Sequence, residues 1–301
     1  MLFKSIIVPV KISLLALFLA CSFLNAASVE TGYEVYKAKD YKTALKEFKV
    51  LADDGDSEVQ YFLGLMYYEG ERVLRDYTQA VKWFKLAAEQ GYMPAQYNLE
   101  VMYGGEGVPQ DFKQALKWYT LAAKQGHTGS QYNLGVMYER GQGVTQDFKQ
   151  AKELYTLAAN QNHTLAQFNL GALYQFTLPD YKQALDWYRL AAKKGHSLSQ
   201  YNIGVMYYEG KGVRKDFKQT LEWYTLAAVK GHALSQYNLG VLYYNGQGVP
   251  QNDVMAYMWG DIAVYSGASP TNRDLVANYM SLYQIEQAQK KAREWIEKYS
   301  K

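Results

Sequence analysis

The sequence predicts an all-α fold: a right-handed α-solenoid of stacked helix-turn-helix repeats with helical caps at both ends. Three observations carry that expectation. A unit that opens at Asp56 recurs at Tyr92, His127, His163, His196 and His232, with starts 33 to 36 residues apart, and a fixed period of that size marks a helical array. Within the repeats, small and large residues recur at i, i+4 and i+8, as in Ala166/Leu170/Tyr174 and Ser199/Ile203/Tyr207, which places them on one face of a helix. Glycines fall at matching places, as in Gly210-Lys211-Gly212 between two helices and Gly231 after the second, where left-handed or tight backbone suits a residue without Cβ.

The elements follow in order. Residues 1–27 read as an export signal: Lys4 and Lys11 give a positive start, Ile12 to Leu24 an uncharged and mostly apolar run, and Ala26, Ala27 and Ser28 a small-residue cleavage site. Cleavage there gives a soluble exported protein, periplasmic or secreted. The alternative is a membrane-anchored lipoprotein acylated at Cys21, the only cysteine. In either case the mature fold has no disulfide and depends on packing. No transmembrane span is expected in the mature chain, because the leader run falls short of the ~20 residues a permanent span needs.

Residues 28–55 form a shortened helical hairpin, with Tyr33, Tyr36, Tyr41, Ala44, Phe48 and Leu51 at helical spacings, as expected of an amino-terminal cap. Six fuller repeats follow at 56–91, 92–126, 127–162, 163–195, 196–231 and 232–267. Asp76, Asp111, Asp147, Asp180 and Asp216 precede second helices as caps or first-turn acids. The second helices pack through Ala80/Trp83/Ala87, Ala115/Trp118/Ala122, Ala184/Trp187/Ala191 and Thr220/Trp223/Ala227. Gly91, Gly126, Gly195, Gly231 and Gly267 end them, with Asn162 in that place once. A glycine inside the first helix (Gly64, Gly135, Gly171, Gly204, Gly240) costs about 1 kcal/mol against alanine, and its recurrence predicts that another helix backbone passes close by. Three departures stand out: Glu100 in the place of that glycine, a fourth repeat that loses both loop glycines around Gln175 to Asp180, and Gly260 where other second helices carry Tyr or Phe. Residues 268–301 end the array with an amphipathic helix whose Ile285, Ala288, Ala292, Trp295 and Ile296 face inward.

These residues resemble the Sel-1-like repeat family, relatives of the tetratricopeptide repeats. The shared pattern is small-x-x-x-Leu-Gly-x-x-Tyr, then Gly-x-Gly-Val, then Asp-x-x-x-Ala-x-x-Trp-Tyr-x-x-Ala-Ala-x-x-Gly, over roughly 56–267. The resemblance implies a superhelical, non-enzymatic adaptor for protein ligands, often exported in bacteria. One cysteine-rich branch of the family is credited with β-lactam binding or hydrolysis. This chain lacks the cysteines of that branch, and a β-lactam- or peptidoglycan-directed role stands as an alternative, beside that of a secreted effector engaging host proteins.

Composition narrows the chemistry. Net charge is +3 and falls near +1 once Lys4 and Lys11 leave with the leader, with no run of Lys/Arg, so nothing favours nucleic acid or an anionic membrane. Nucleophile elbows, phosphate loops and H-E-x-x-H motifs are absent from the sequence; the reading is a protein without catalytic residues, cofactor or metal. His127, His163, His196 and His232 each open a repeat, which spaces them by a helix-packing distance or more (~8–10 Å). Zinc ligands must converge to ~2 Å, so they read as structural or exposed. The binding candidates are an asparagine ladder on the first helices, Asn98, Asn133, Asn169, Asn202 and Asn238, suited to pairing with an extended peptide on the concave face or to satisfying a neighbouring repeat. Tyr68, Tyr208 and Tyr244, the second members of tyrosine doublets, fall off the packed face and are candidate exposed anchors.

Overall fold

The computed structural model describes residues 41–70 and 73–299, in which every regular element is a helix. The leader, Cys21 and the start of the amino-terminal cap lie outside the described residues. The chain divides into two compact bodies, residues 1–151 and 152–301.

In the first body the order is α1 (Tyr41–Asp53), α2 (Ser57–Glu69), α3 (Tyr77–Glu89), α4 (Met93–Tyr103), α5 (Phe112–Lys124) and α6 (Thr128–Arg140), each packed on the next. The boundary falls inside α7 (Phe148–Asn160). In the second body, α8 (Thr164–Phe176), α9 (Tyr181–Lys193), α10 (Ser197–Glu209), α11 (Phe217–Val229), α12 (Ala233–Asn245) and α13 (Asp253–Tyr265) again pack in sequence order. Helices α14 (Thr271–Ala277) and α15 (Leu282–Tyr299) cover α13. No described helix is long and apolar enough to cross a membrane.

Each element forms for a local reason. The carboxylates of Asp76, Asp111 and Asp216 each accept from two backbone amides at 2.9–3.1 Å, a cap that contributes about 1 kcal/mol. The first helices end at Gly70, Gly141, Gly210 and Gly246, all left-handed. The second loop glycine does more than turn the chain. A Cβ on Gly143, Gly212 or Gly248 would sit 2.5–2.7 Å from the carbonyl oxygen of Phe112, Tyr181 or Phe217. Each loop therefore rests on the first turn of the preceding repeat's second helix. The fourth repeat turns without glycine: the Leu178 amide donates to the Leu173 carbonyl at 2.8 Å, and the Asp180 amide to that of Tyr174.

The glycines inside the first helices have a different neighbour from the one expected. A Cβ on Gly64, Gly171 or Gly204 would meet not a helix backbone but the ring of Phe84, Tyr188 or Tyr224, at 2.4–2.7 Å. The ring comes from the second helix of the same repeat and fills the space a side chain would take. Gly240 alone among these four faces backbone, the Ala256 carbonyl at 3.0 Å, because Gly260 carries no ring there. The space over Gly260 is taken by Arg273 of α14, which pairs with Asp261 at 3.2 Å and Asp274 at 2.8 Å. The core is otherwise a run of fully buried side chains, among them Leu63, Leu99 and Trp118 in the first body and Leu170, Ile203 and Leu239 in the second; each aliphatic contributes about 1.5–3 kcal/mol.

Candidate functional site

All five ladder asparagines are half-buried, and each meets a tyrosine hydroxyl. Asn169 donates from Nδ2 to Tyr155 at 3.2 Å; Asn133 pairs with Tyr119, Asn202 with Tyr188 and Asn238 with Tyr224. In these four pairs the tyrosine belongs to the second helix of the preceding repeat. The first repeat has Phe84 at that place, without a hydroxyl, and Asn98 turns to Tyr61 of α2 instead. Burial pushes Tyr61, Tyr119, Tyr188 and Tyr224 above their ordinary range, which keeps their hydroxyls neutral and available to the amides. The ladder thus ties repeat to repeat through the asparagine amides.

Tyr68, Tyr208 and Tyr244, expected off the packed face, are half-buried. The Tyr68 hydroxyl donates to Glu106 at 2.7 Å, and its ring meets Tyr77 edge-on at 5.6 Å. Tyr208 packs on Phe217 at 5.5 Å, with the Lys215 ammonium 5.4 Å from its ring centre. Tyr244 lines a cavity of about 200 Å³ together with Val241, Asn245, Asn272 and Leu275.

The histidines have a defined job that spacing alone did not reveal. Nδ1 of His127, His163, His196 and His232 accepts the amide of the residue three positions on, at 3.2–3.3 Å, and so caps the first helix. The rings of His127, His196 and His232 also lie against Tyr97, Phe168 and Tyr201 of the preceding repeat, 4.8–5.0 Å between centres. Burial lowers all four pKa values, which favours the neutral imidazole that capping needs. The signal was present in His127/Ser130, His196/Ser199 and His232/Ser235, where the serine hydroxyl adds a contact to Nδ1 at 2.6–2.9 Å.

Sequence reasoning also missed a glutamine ladder. Gln60, Gln96, Gln131, Gln167, Gln200 and Gln236 are buried, and each Nε2 donates to an alanine carbonyl eight residues back, at 2.8–3.3 Å. These carbonyls end the preceding second helix, where each also accepts the backbone amide three residues on, so the glutamine supplies a second bond that ties the next repeat to that helix end. Among the described residues no three His, Cys, Asp or Glu side chains come together as metal ligands would.

The packed helix pairs define the class: an α-solenoid repeat protein, in which each hairpin buries its apolar face on its neighbours. The Sel1 repeat family matches at 57–92, 94–127, 128–163, 164–196, 197–232 and 233–267, and the chain belongs to that family. Many solved structures resemble it, among them two at 31% identity or more. One, described as a protective antigen of uropathogenic Escherichia coli strains displaying an SLR fold, is 34% identical, with a TM-score of 0.69 over 91% of this chain and 61% of its own. The other, a Sel1 repeat protein from Oxalobacter formigenes, is 31% identical, with a TM-score of 0.64 over 86% of this chain and 76% of its own. The chain thus spans about three fifths of the antigen's length. Among curated proteins none is significantly similar. Sel1 repeat proteins are in general scaffolds for protein–protein interaction.

Proposed function

We propose that the protein is an exported, non-enzymatic scaffold that binds a protein or peptide ligand along the first helices of its repeats. One observation carries the reading: Asn98, Asn133, Asn169, Asn202 and Asn238 repeat in register, each half-buried and each paired with a tyrosine hydroxyl. A side-chain amide fixed in this way is preorganised, and its remaining donor and acceptor capacity suits a ligand's backbone. Tyr68, Tyr208 and Tyr244 add half-exposed aromatic area on the first helices of the first, fifth and sixth repeats. The family's general role as an interaction scaffold supports the reading. Export rests on the leader pattern at 1–27, with a lipid anchor at Cys21 as the alternative.

The test is crosslinking in the producing cell with identification of the captured chain, for the natural protein and for Asn133→Ala/Asn169→Ala/Asn202→Ala. A specific partner, lost or weakened in the triple variant, is expected. Turnover of a chromogenic β-lactam, or saturable muropeptide binding without any protein partner, would overturn the proposal.

A further inference from the structure

The loop of the fifth repeat departs from its counterparts in charge. Lys211, Arg214 and Lys215 stand where the second repeat has Glu106, Pro109 and Gln110, the third Gln142, Thr145 and Gln146, and the sixth Gln247, Pro250 and Gln251; the first repeat has one cation among those three places, Arg75. The nearby acids are already engaged. Glu209 holds Lys211 at 2.7 Å, Asp216 accepts the amides of Lys218 and Gln219 as a helix cap, and Glu222 accepts from Gln219 at 2.8 Å. Arg214, Lys215 and Lys218 are exposed and have no acidic partner among the described residues.

These cations border an open groove of about 430 Å³, lined by Arg214, Lys215, Asp216, Phe217, Lys218 and Gly248. Phe217 is its one aromatic lining residue, and the central cation is held in place. Lys215 lies 4.8 Å from the ring centre of Phe217 and 5.4 Å from that of Tyr208. Three cations against the one carboxylate in the lining, Asp216, leave an excess of positive charge that concentrates negative charge there. The charge is confined to one repeat, whereas a nucleic-acid backbone or an anionic membrane needs an extended basic stripe. A few carboxylates on a short chain match both the size and the sign of the patch.

We propose that this groove docks an acidic segment of a peptide or protein ligand, with carboxylates at Arg214, Lys215 and Lys218 and apolar atoms against Phe217 and Tyr208. The proposal rests on the ligand-binding reading above and names the chemistry of the ligand at one repeat.

Fluorescence anisotropy of a labelled ten-residue peptide alternating Glu and Gly tests it on the whole mature protein. Peptides with Gln or Lys in place of Glu, and a ten-residue oligothymidine, serve as comparisons. Binding of the Glu peptide alone is expected, fading as salt rises past physiological strength. It should weaken about fivefold in Arg214→Gln/Lys218→Gln and stay unchanged in Lys290→Gln/Lys291→Gln, which removes two exposed charges from α15. Equal loss in both variants, no binding of the Glu peptide, or tighter binding of the oligothymidine through the same residues would each overturn it. Recovery of a crosslinked partner that ignores Arg214→Gln/Lys218→Gln would overturn this docking site while leaving the broader scaffold reading in place.

Discussion

The Glu100 carboxyl lies 2.5 Å from the Ser130 hydroxyl, which itself lies 2.6 Å from Nδ1 of His127. A side chain of the second repeat thereby reaches into the N-terminal cap of the third. Glu100 occupies the place that sibling repeats give to glycine, is 0% exposed, and has one carboxyl oxygen, Oε2, with no partner among the described residues. Burial pushes its pKa well above the usual carboxylate range, against the lowering effect of Ser130. Tyr97 on its own helix and Tyr119 on α5 are the other titratable groups it influences, and the side chains of α3 packed on α4 are apolar, among them Ala80, Phe84 and Ala87.

That burial makes stability depend on pH. The unfolded chain loses the Glu100 proton near 4.5, while the folded chain holds it to higher pH. The stabilisation is complete below 4.5 and is lost as pH rises toward the folded value, at about 1.4 kcal/mol for each unit of elevation. Glu100→Gln keeps the shape without the titration. Thermal unfolding should show the variant gaining on the natural protein from pH 5 to pH 8; parallel curves would refute the assignment.

The histidine caps work in the opposite direction. Their folded pKa values lie below 6.5 because burial disfavours the charged ring, so their stabilisation is complete above 6.5 and is lost as pH falls through the folded values. His196→Asn retains a strong capping residue and should flatten part of the acid-side loss, whereas His196→Ala should cost about 1 kcal/mol at neutral pH. Urea titrations at pH 5 and pH 7.5 separate the two.

The Asn202–Tyr188 pair should contribute to folding as well as to any ligand contact. A double-mutant cycle of Asn202→Ala and Tyr188→Phe is expected to give a coupling of about 0.5–1.5 kcal/mol in chemical unfolding. Ligand binding should fall strongly in Asn202→Ala and less in Tyr188→Phe, which keeps the amide and loses only the hydroxyl that preorganises it. Equal binding loss in both variants would make the pair a structural joint only.

Two glycines with similar backbone angles should respond differently to alanine. Gly231 has φ +78 and open space around its missing Cβ, so Gly231→Ala should cost about 1–2 kcal/mol from the left-handed conformation alone. Gly248 has φ +77 and the Phe217 carbonyl at 2.5 Å, so Gly248→Ala must also displace a helix start and should be clearly worse. Circular-dichroism melts of the two variants compare them directly; equal midpoints would contradict the packing role assigned to the loop.

Much of the architecture was legible because it is local. Caps such as Asp76 and Asp216, and left-handed helix ends including Asn162 at φ +66, follow from residue type; the buried faces follow in part from a 3.6-residue period, but in α9 and α11 the buried rings are Tyr188 and Tyr224, while the expected Trp187 and Trp223 are half-buried. What faces each buried residue was less legible. Gly64, Gly171 and Gly204 announced a close approach without saying that an aromatic ring makes it. The histidines read as positional marks because the amide each one caps becomes a partner only once the helix turns.

The period, the amphipathic faces and the punctuating glycines were enough to define a helical repeat array, since each of these operates within a few residues of the chain. Register across the gap between helices is a different matter. It pairs Asn202 with Tyr188 and Glu100 with Ser130, and it leaves Arg214 and Lys218 beside Phe217 with no acidic partner among the described residues. These relationships depend on how side chains some 10 to 30 residues apart meet after packing, and close packing, unlike periodicity, is resolved only in three dimensions.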